Sequence, residues 1–155
     1  MKTRAAILLV EDEESDILIF QRTFSKAQIL NPLIILESSE EAMHYLNGDG
    51  KYSNREEFPF PSLALLDLKL PRIDGYELLQ WIRGQKMFQS VRLVALTGFE
   101  DERAVTRALE CGADAVLTKP LDLKCLVQAS QMFGGFWTWS PAVEESEAGP
   151  LKEAA

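Results

Sequence analysis

The sequence predicts an α/β protein built on a doubly wound, five-stranded parallel sheet with five helices. Three observations predict it. Short apolar runs recur without polar alternation, as in strands buried on both faces of a parallel sheet. Stretches with apolar residues at helical spacing separate them. Several runs end on a carboxylate, a hydroxyl or a lysine. In open parallel sheets ligands bind outside the carboxyl ends of the strands.

Ala5–Val10 (AAILLV) is the first strand and runs into Glu11 and Asp12. Glu13–Lys26 follows as a helix, with Ile17, Phe20, Phe24 and Ala27 on one face and Asp16, Gln21, Arg22 and Lys26 elsewhere. Leu33–Glu37 is the second strand, entered after Pro32. Ser39–Asn47 is a short helix for which Ser38 or Ser39 is the candidate cap. Gly48–Pro61, rich in glycine, proline and charge, is expected to be a surface loop. Leu63–Asp67 (LALLD) is the central strand and stops on a carboxylate. Pro71 and Asp74-Gly75 mark the loop after it and the start of the helix Gly75–Lys86. Val91–Thr97 is the fourth strand and ends on a hydroxyl. Asp101–Cys111 is a helix stopped by Gly112. Asp114–Thr118 is the fifth strand, followed by Lys119-Pro120. Asp122–Trp139 is the last helix, and Ser140–Ala155 is expected to be a disordered tail. The expected organisation is one domain over 1–139 and a tail over 140–155.

Right-handed crossovers and the flavodoxin-like order 2-1-3-4-5 put the first and third strands side by side at the switch point. Glu11, Asp12 and Asp67 then meet, and Thr97 and Lys119 close the same rim.

The bulk properties fit a soluble domain: 155 residues, 46% hydrophobic and 26% charged. A net charge of −8 argues against nonspecific nucleic-acid binding. No apolar run approaches membrane-spanning length, and the start does not resemble a signal peptide. Cys111 and Cys125 lack metal-ligand spacing and read as reduced thiols, so a cytoplasmic protein is expected.

The rim residues have a shared chemical logic. Three carboxylates in one pocket repel one another unless a cation is present, and all-oxygen ligands favour a hard ion such as Mg²⁺. An aspartate can accept a phosphoryl group as a nucleophile. A lysine ammonium and a threonine hydroxyl suit the phosphoryl oxygens. Singly these residues have plainer readings: Asp67 ends a strand, Glu11-Asp12 charges a helix start, Lys119 sits on the surface. Placed together at matching strand ends, they point to phosphoryl chemistry. His44, the one histidine, reads as a surface helix residue.

These residues, with the phrases LLDLKLPRIDG and GADAVLTKP, resemble the response regulator receiver domain of bacterial two-component signalling over about residues 5–139. The resemblance implies that Asp67 is the phosphoacceptor, with Thr97 and Lys119 in the catalytic set. It implies that Glu11, Asp12 and Asp67 hold Mg²⁺ with the backbone carbonyl of Lys69, and that the Lys119–Pro120 bond is cis. It implies a sensor histidine kinase as donor and leaves open a histidine phosphotransfer protein as acceptor. The expectation is a stand-alone receiver. The long loop Gly48–Pro61 and the aromatic end FGGFWTW are similar to the single-domain regulators that accompany bacterial phytochrome kinases.

Two positions depart from the family pattern. Val116 stands where a Tyr or Phe usually reports phosphorylation, and Gly98 follows the threonine. Lys69 and Phe99 are expected to flank the path of the hydrolytic water and lengthen the phosphorylated state. Two other classes compete with this reading. A phosphatase of the haloacid dehalogenase type needs a second aspartate where Lys69 stands. A pseudo-receiver usually lacks the acceptor or the acidic pair, and this chain has both.

The last helix carries one apolar stripe for the sheet and a second one: Cys125, Ala129, Met132, Phe136 and Trp139. A helix apolar on two sides buries both; a two-fold homodimer through this helix is the simplest cover, and the alternative is that Phe136, Trp137 and Trp139 fold back over the domain's own surface. Sedimentation tests it. Wild type is expected to dimerise at micromolar concentration, and Met132→Glu or a chain ending at Phe133 to be monomeric. Monomeric wild type at high micromolar concentration, with and without a phosphoryl mimic, would sink the proposal.

Overall fold

Each apolar run becomes a strand, and helices cover both faces of the sheet that the strands form. The structure is a computed structural model and describes residues 6–98 and 101–124. The strands are β1 (Ala6–Val10), β2 (Leu33–Leu36), β3 (Pro61–Asp67), β4 (Arg92–Thr97) and β5 (Ala115–Thr118). They pair in parallel in the order β2-β1-β3-β4-β5, as expected from the sequence. The helices are α1 (Glu14–Lys26), α2 (Ser39–Asn47), α3 (Gly75–Gly84) and α4 (Glu102–Glu110). Of the predicted helix from Asp122, residues 123 and 124 are helical and Asp122 is not; residues 125–139 lie outside the described residues, as do Phe99, the second apolar stripe and the tail. Among the described residues no helix is long and apolar enough to cross a membrane.

The absence of polar alternation in the strands has a simple cause. Leu8, Val10, Ala64, Leu66, Leu93 and Ala95 point into one core, shared with α2, α3 and α4. Ile7, Leu9, Leu63, Leu65, Val94 and Leu96 point into the other, shared with Phe20 and Phe24 of α1. Alternate residues face opposite sides of a strand, so two covered faces demand apolar residues throughout.

Local signals set the helix ends. Ser38, the first of the two candidate caps, accepts the amide of Glu41 at 3.1 Å. Ser39 is buried and donates instead to the Ile73 carbonyl at 2.7 Å, tying α2 to the loop after β3. Asp74 caps α3 by accepting the Glu77 amide at 2.9 Å. Gly48 ends α2 with φ of 71°, the left-handed conformation that glycine takes freely.

The stretch from Gly48 to Pro61 is more built than a surface loop. A 3₁₀ turn spans Gly50–Ser53, and β3 starts at Pro61 itself. Tyr52 is buried, with ring centroids 4.9 Å from Tyr45 and 5.1 Å from Phe58. Arg55 donates to the carbonyls of Tyr45 and Leu46, both at 2.9 Å, and so satisfies the orphan end of α2. The polar composition hid two aromatic anchors, Tyr52 and Phe58, and a capping arginine.

One glycine holds the site end of the sheet together. A Cβ on Gly75 would stand 2.3 Å from the Asp67 carbonyl oxygen and 2.6 Å from Leu68 Cα, both backbone atoms that cannot swing aside. Gly75 also donates its amide to the Leu68 carbonyl at 3.0 Å. Glycine is therefore required here for space. Gly84 ends the same helix, and among the described residues nothing lies within 4 Å of its Cβ position. Gly75→Ala is expected to lower stability by about 1–3 kcal/mol through overpacking. Gly84→Ala should be neutral or stabilising, since alanine is the better helix former. Urea unfolding of both variants is the check; equal midpoints would refute the close-approach argument.

Candidate functional site

The register of the sheet assembles the site. Val10 pairs with Leu66, so Glu11 and Asp12, just past β1, emerge beside Asp67 at the end of β3. Asp67 pairs with Leu96, and Thr97 with Thr118, which brings the ends of β4 and β5 to the same rim. Lys119 follows β5; its amide donates to the Thr97 carbonyl at 2.8 Å, and its bond to Pro120 is cis. All five residues expected at the rim are therefore gathered there.

Burial makes the electrostatics strong. Glu11 is 0% exposed and Asp67 3%. Glu11 Oε2 accepts the amides of Asp12 and Glu13 at 3.0 and 3.3 Å, which uses the first donors of the chain entering α1. Asp67 Oδ1 accepts the Lys69 amide at 3.1 Å. The opposite oxygens face a single cation. Lys119 Nζ lies 2.6 Å from Glu11 Oε1 and 3.2 Å from Asp67 Oδ2. It also donates to Asp16 Oδ2, on α1, at 3.0 Å.

The titration behaviour follows from this packing. Burial, with the adjoining Asp67 carboxyl, pushes Glu11 up to about 8, against the opposing pull of Lys119. Burial works against the charge on Lys119 as well, but its bonds to Glu11 and Asp16 and the field of Asp67 outweigh this and raise it above the ordinary lysine value. The lysine thus stays charged.

A divalent cation fits the same corner. Glu11, Asp12 and Asp67 each offer a carboxylate oxygen, and these oxygens lie within 4.8 Å of one another. Asp12 Oδ1 is buried and has no hydrogen-bond partner among the described residues. Such an orphaned anionic oxygen is costly unless a cation satisfies it. The all-oxygen donor set suits hard ions of the Mg²⁺ or Mn²⁺ kind.

Sequence reasoning missed Asp16 at this site. It was placed on the polar side of the helix, and its contact spans 103 residues. No local spacing signals a contact to a residue so far along the chain.

Comparison with known proteins agrees with the geometry. The model of the response regulator receiver domain matches residues 7–131. The response regulator Rcp1 of Synechocystis sp. is 37% identical over 131 residues, which is 84% of this chain and 87% of Rcp1. A crystal structure of the Mn²⁺-bound form of Rcp1 superposes with a TM-score of 0.69 at 36% identity, covering 83% of this chain and 93% of that one. The bacteriophytochrome response regulator AtBRR superposes with a TM-score of 0.79 at 34% identity, covering 90% and 99%.

The buried Glu11 predicts a pH signature. Its folded value lies above its ordinary 4.5, so its contribution to stability is complete below 4.5 and lost as pH rises through about 8. Cation binding must displace the proton, so cation affinity should increase across the same window. Thermal midpoints are the measurement. Excess Mg²⁺ should raise the midpoint more at about pH 9 than at about pH 6. Glu11→Gln should flatten the pH dependence of the metal-free protein and abolish the Mg²⁺ effect. An Mg²⁺ shift independent of pH would refute the assignment.

Proposed function

The chain belongs to the response regulator receiver family, and from that premise we propose that it is a phosphorylation switch whose phosphoacceptor is Asp67. The observation that carries this reading is the setting of the Asp67 carboxylate. One oxygen is held by the Lys69 amide, the other faces the Lys119 ammonium, and Glu11 and Asp12 stand beside it.

The donor is a sensor histidine kinase carrying phosphohistidine, and the bacteriophytochrome regulators among the similar structures favour a phytochrome kinase. An Asp67 oxygen forms the new bond to phosphorus with its lone pair. The phosphorus–nitrogen bond breaks, and its electron pair returns to the imidazole ring. Asp67 is nearly buried and its oxygens are held, so its nucleophile is oriented before the donor arrives. Mg²⁺, held by the carboxylates of Glu11, Asp12 and Asp67 with the Lys69 carbonyl, would neutralise charge on the phosphoryl oxygens during transfer. Lys119 takes one phosphoryl oxygen as a point charge, and the Thr97 hydroxyl donates to another. The protein catalyses only its own phosphorylation and dephosphorylation.

The functional unit is residues 1–139, and the C-terminal helix is its homodimer surface. Val116 lines an open groove with Asp101, Glu102, Val105, Thr106 and Thr118, so this position holds no aromatic reporter. The response therefore runs through Thr97 and the residues after it.

Mg²⁺-dependent labelling with acetyl phosphate tests the reading. Wild type should form one acid-stable, base-labile acyl phosphate per chain, and Asp67→Asn none, because an amide is not a nucleophile here. Labelling of Asp67→Asn at the wild-type rate would overturn the assignment.

A further inference from the structure

Lys119 carries three N–H donors, and its ammonium has three carboxylate neighbours. Two of them, Glu11 at 2.6 Å and Asp67 at 3.2 Å, belong to the acidic cluster fit for a cation. The third, Asp16 at 3.0 Å, does not. Asp16 lies on the first turn of α1, with its side chain 26% exposed, and its contact to Lys119 is a hydrogen bond as well as an ion pair.

The three neighbours have different fates. A divalent cation supplies positive charge to Glu11 and Asp67, which weakens their need for the ammonium. Phosphorylation puts new anionic oxygens on Asp67 that need it. Neither event touches Asp16. Its carboxylate pulls on Lys119 equally before and after phosphorylation, and each N–H that it holds is denied to the phosphoryl group. We infer that Asp16 is a positioning residue that competes with the phosphoryl group on Asp67 for the Lys119 ammonium, and so limits how tightly the phosphorylated state is held. Asp16 makes this link from α1, a helix that carries none of the phosphoacceptor, cation or hydroxyl positions. The inference rests on the phosphoacceptor reading of Asp67.

The test uses beryllium fluoride in the presence of Mg²⁺. The beryllium accepts a lone pair from the Asp67 carboxylate, and its fluorides stand where phosphoryl oxygens would. Asp16→Asn keeps the shape and removes the charge. It should tighten adduct formation by about three- to fivefold, the range of a partly exposed ion pair. Asp16→Glu, which restores the charge, should bind within about twofold of wild type. In a Lys119→Gln background, Asp16→Asn should change nothing. This arm separates competition for the lysine from simple removal of a negative charge near an anion, because the latter would persist without the lysine. A readout without metal or adduct accompanies it: the Lys119 side-chain ¹⁵Nζ resonance of the metal-free protein should shift in Asp16→Asn and return in Asp16→Glu. Asp16→Ala, checked for fold by circular dichroism, serves if the asparagine variant fails to fold. A wild-type adduct that Asp16→Asn leaves unchanged, or tightens equally without Lys119, overturns the inference alone. No adduct in wild type beyond that in Asp67→Asn overturns the phosphoacceptor reading and this inference with it.

Discussion

The ammonium of Lys119 is the interaction on which the site depends. Glu11 and Asp67 are carboxylates with essentially no exposed surface, side by side at the end of the sheet. Unpaired, such groups are expelled from an interior or neutralised by protonation. Lys119 answers both at once, from 2.6 and 3.2 Å. A buried pair of this kind adds little net stability, because desolvation offsets most of the attraction. Its value lies elsewhere. It keeps two buried carboxyl groups in place and partnered at the carboxyl end of the sheet.

The sheet makes that concentration of charge tolerable. Both of its faces are filled by alternating apolar side chains, so the strands bury without polar groups of their own. All polar function is displaced to the carboxyl ends, where loops meet solvent. The parallel register then does the positioning: consecutive strand ends β1, β3, β4 and β5 deliver two carboxylates, a third carboxylate, a hydroxyl and an ammonium in order across the rim. Gly75 completes this by letting α3 start against the backbone of Asp67, so β3 and the helix after it close up directly beneath the site.

This division explains what the sequence made legible. Uniform apolar runs and helical spacing report burial, and burial here follows strictly from topology, so the strand order and the gathering of Glu11, Asp12, Asp67, Thr97 and Lys119 could be read in advance. Two features could not. The Gly48–Pro61 stretch has a loop's composition, yet Tyr52 and Phe58 pack on Tyr45 and Arg55 caps α2. Its order comes from contacts between these side chains and the end of α2, which composition does not encode. Asp16 was equally hidden. An acidic residue on the polar side of a helix has a sufficient explanation in solvent, and only the fold brings Lys119 to it. The serines before α2 show the converse. Both were candidate caps, and the structure divides the work, with Ser38 capping and Ser39 tying α2 to the loop after β3.

The placement of Val116 narrows how a change at the rim can travel. Val116 offers no aromatic ring to swing between surface and interior, so on the phosphoacceptor reading the coupling falls to Thr97, which is nearly buried at the end of β4. Gly98 after it has no described residue within 4 Å of its Cβ position. Asp101 then caps α4 by accepting the Arg103 amide at 2.9 Å. α4 is also weakly anchored: of its residues only Ala108 is buried, whereas α3 buries Gly75, Leu78, Leu79 and Ile82. Its visible tie to α3 is Arg107 stacked 4.0 Å over the Tyr76 ring, a contact of about 1 kcal/mol at a partly exposed place. Helices with few buried contacts move at the least free-energy cost. A pull of Thr97 toward a phosphoryl group on Asp67 therefore meets resistance from the sheet on one side and little from α4 on the other. On the phosphoacceptor reading, α4 and the groove it forms with β5 are where the charge added at Asp67 becomes a change of shape.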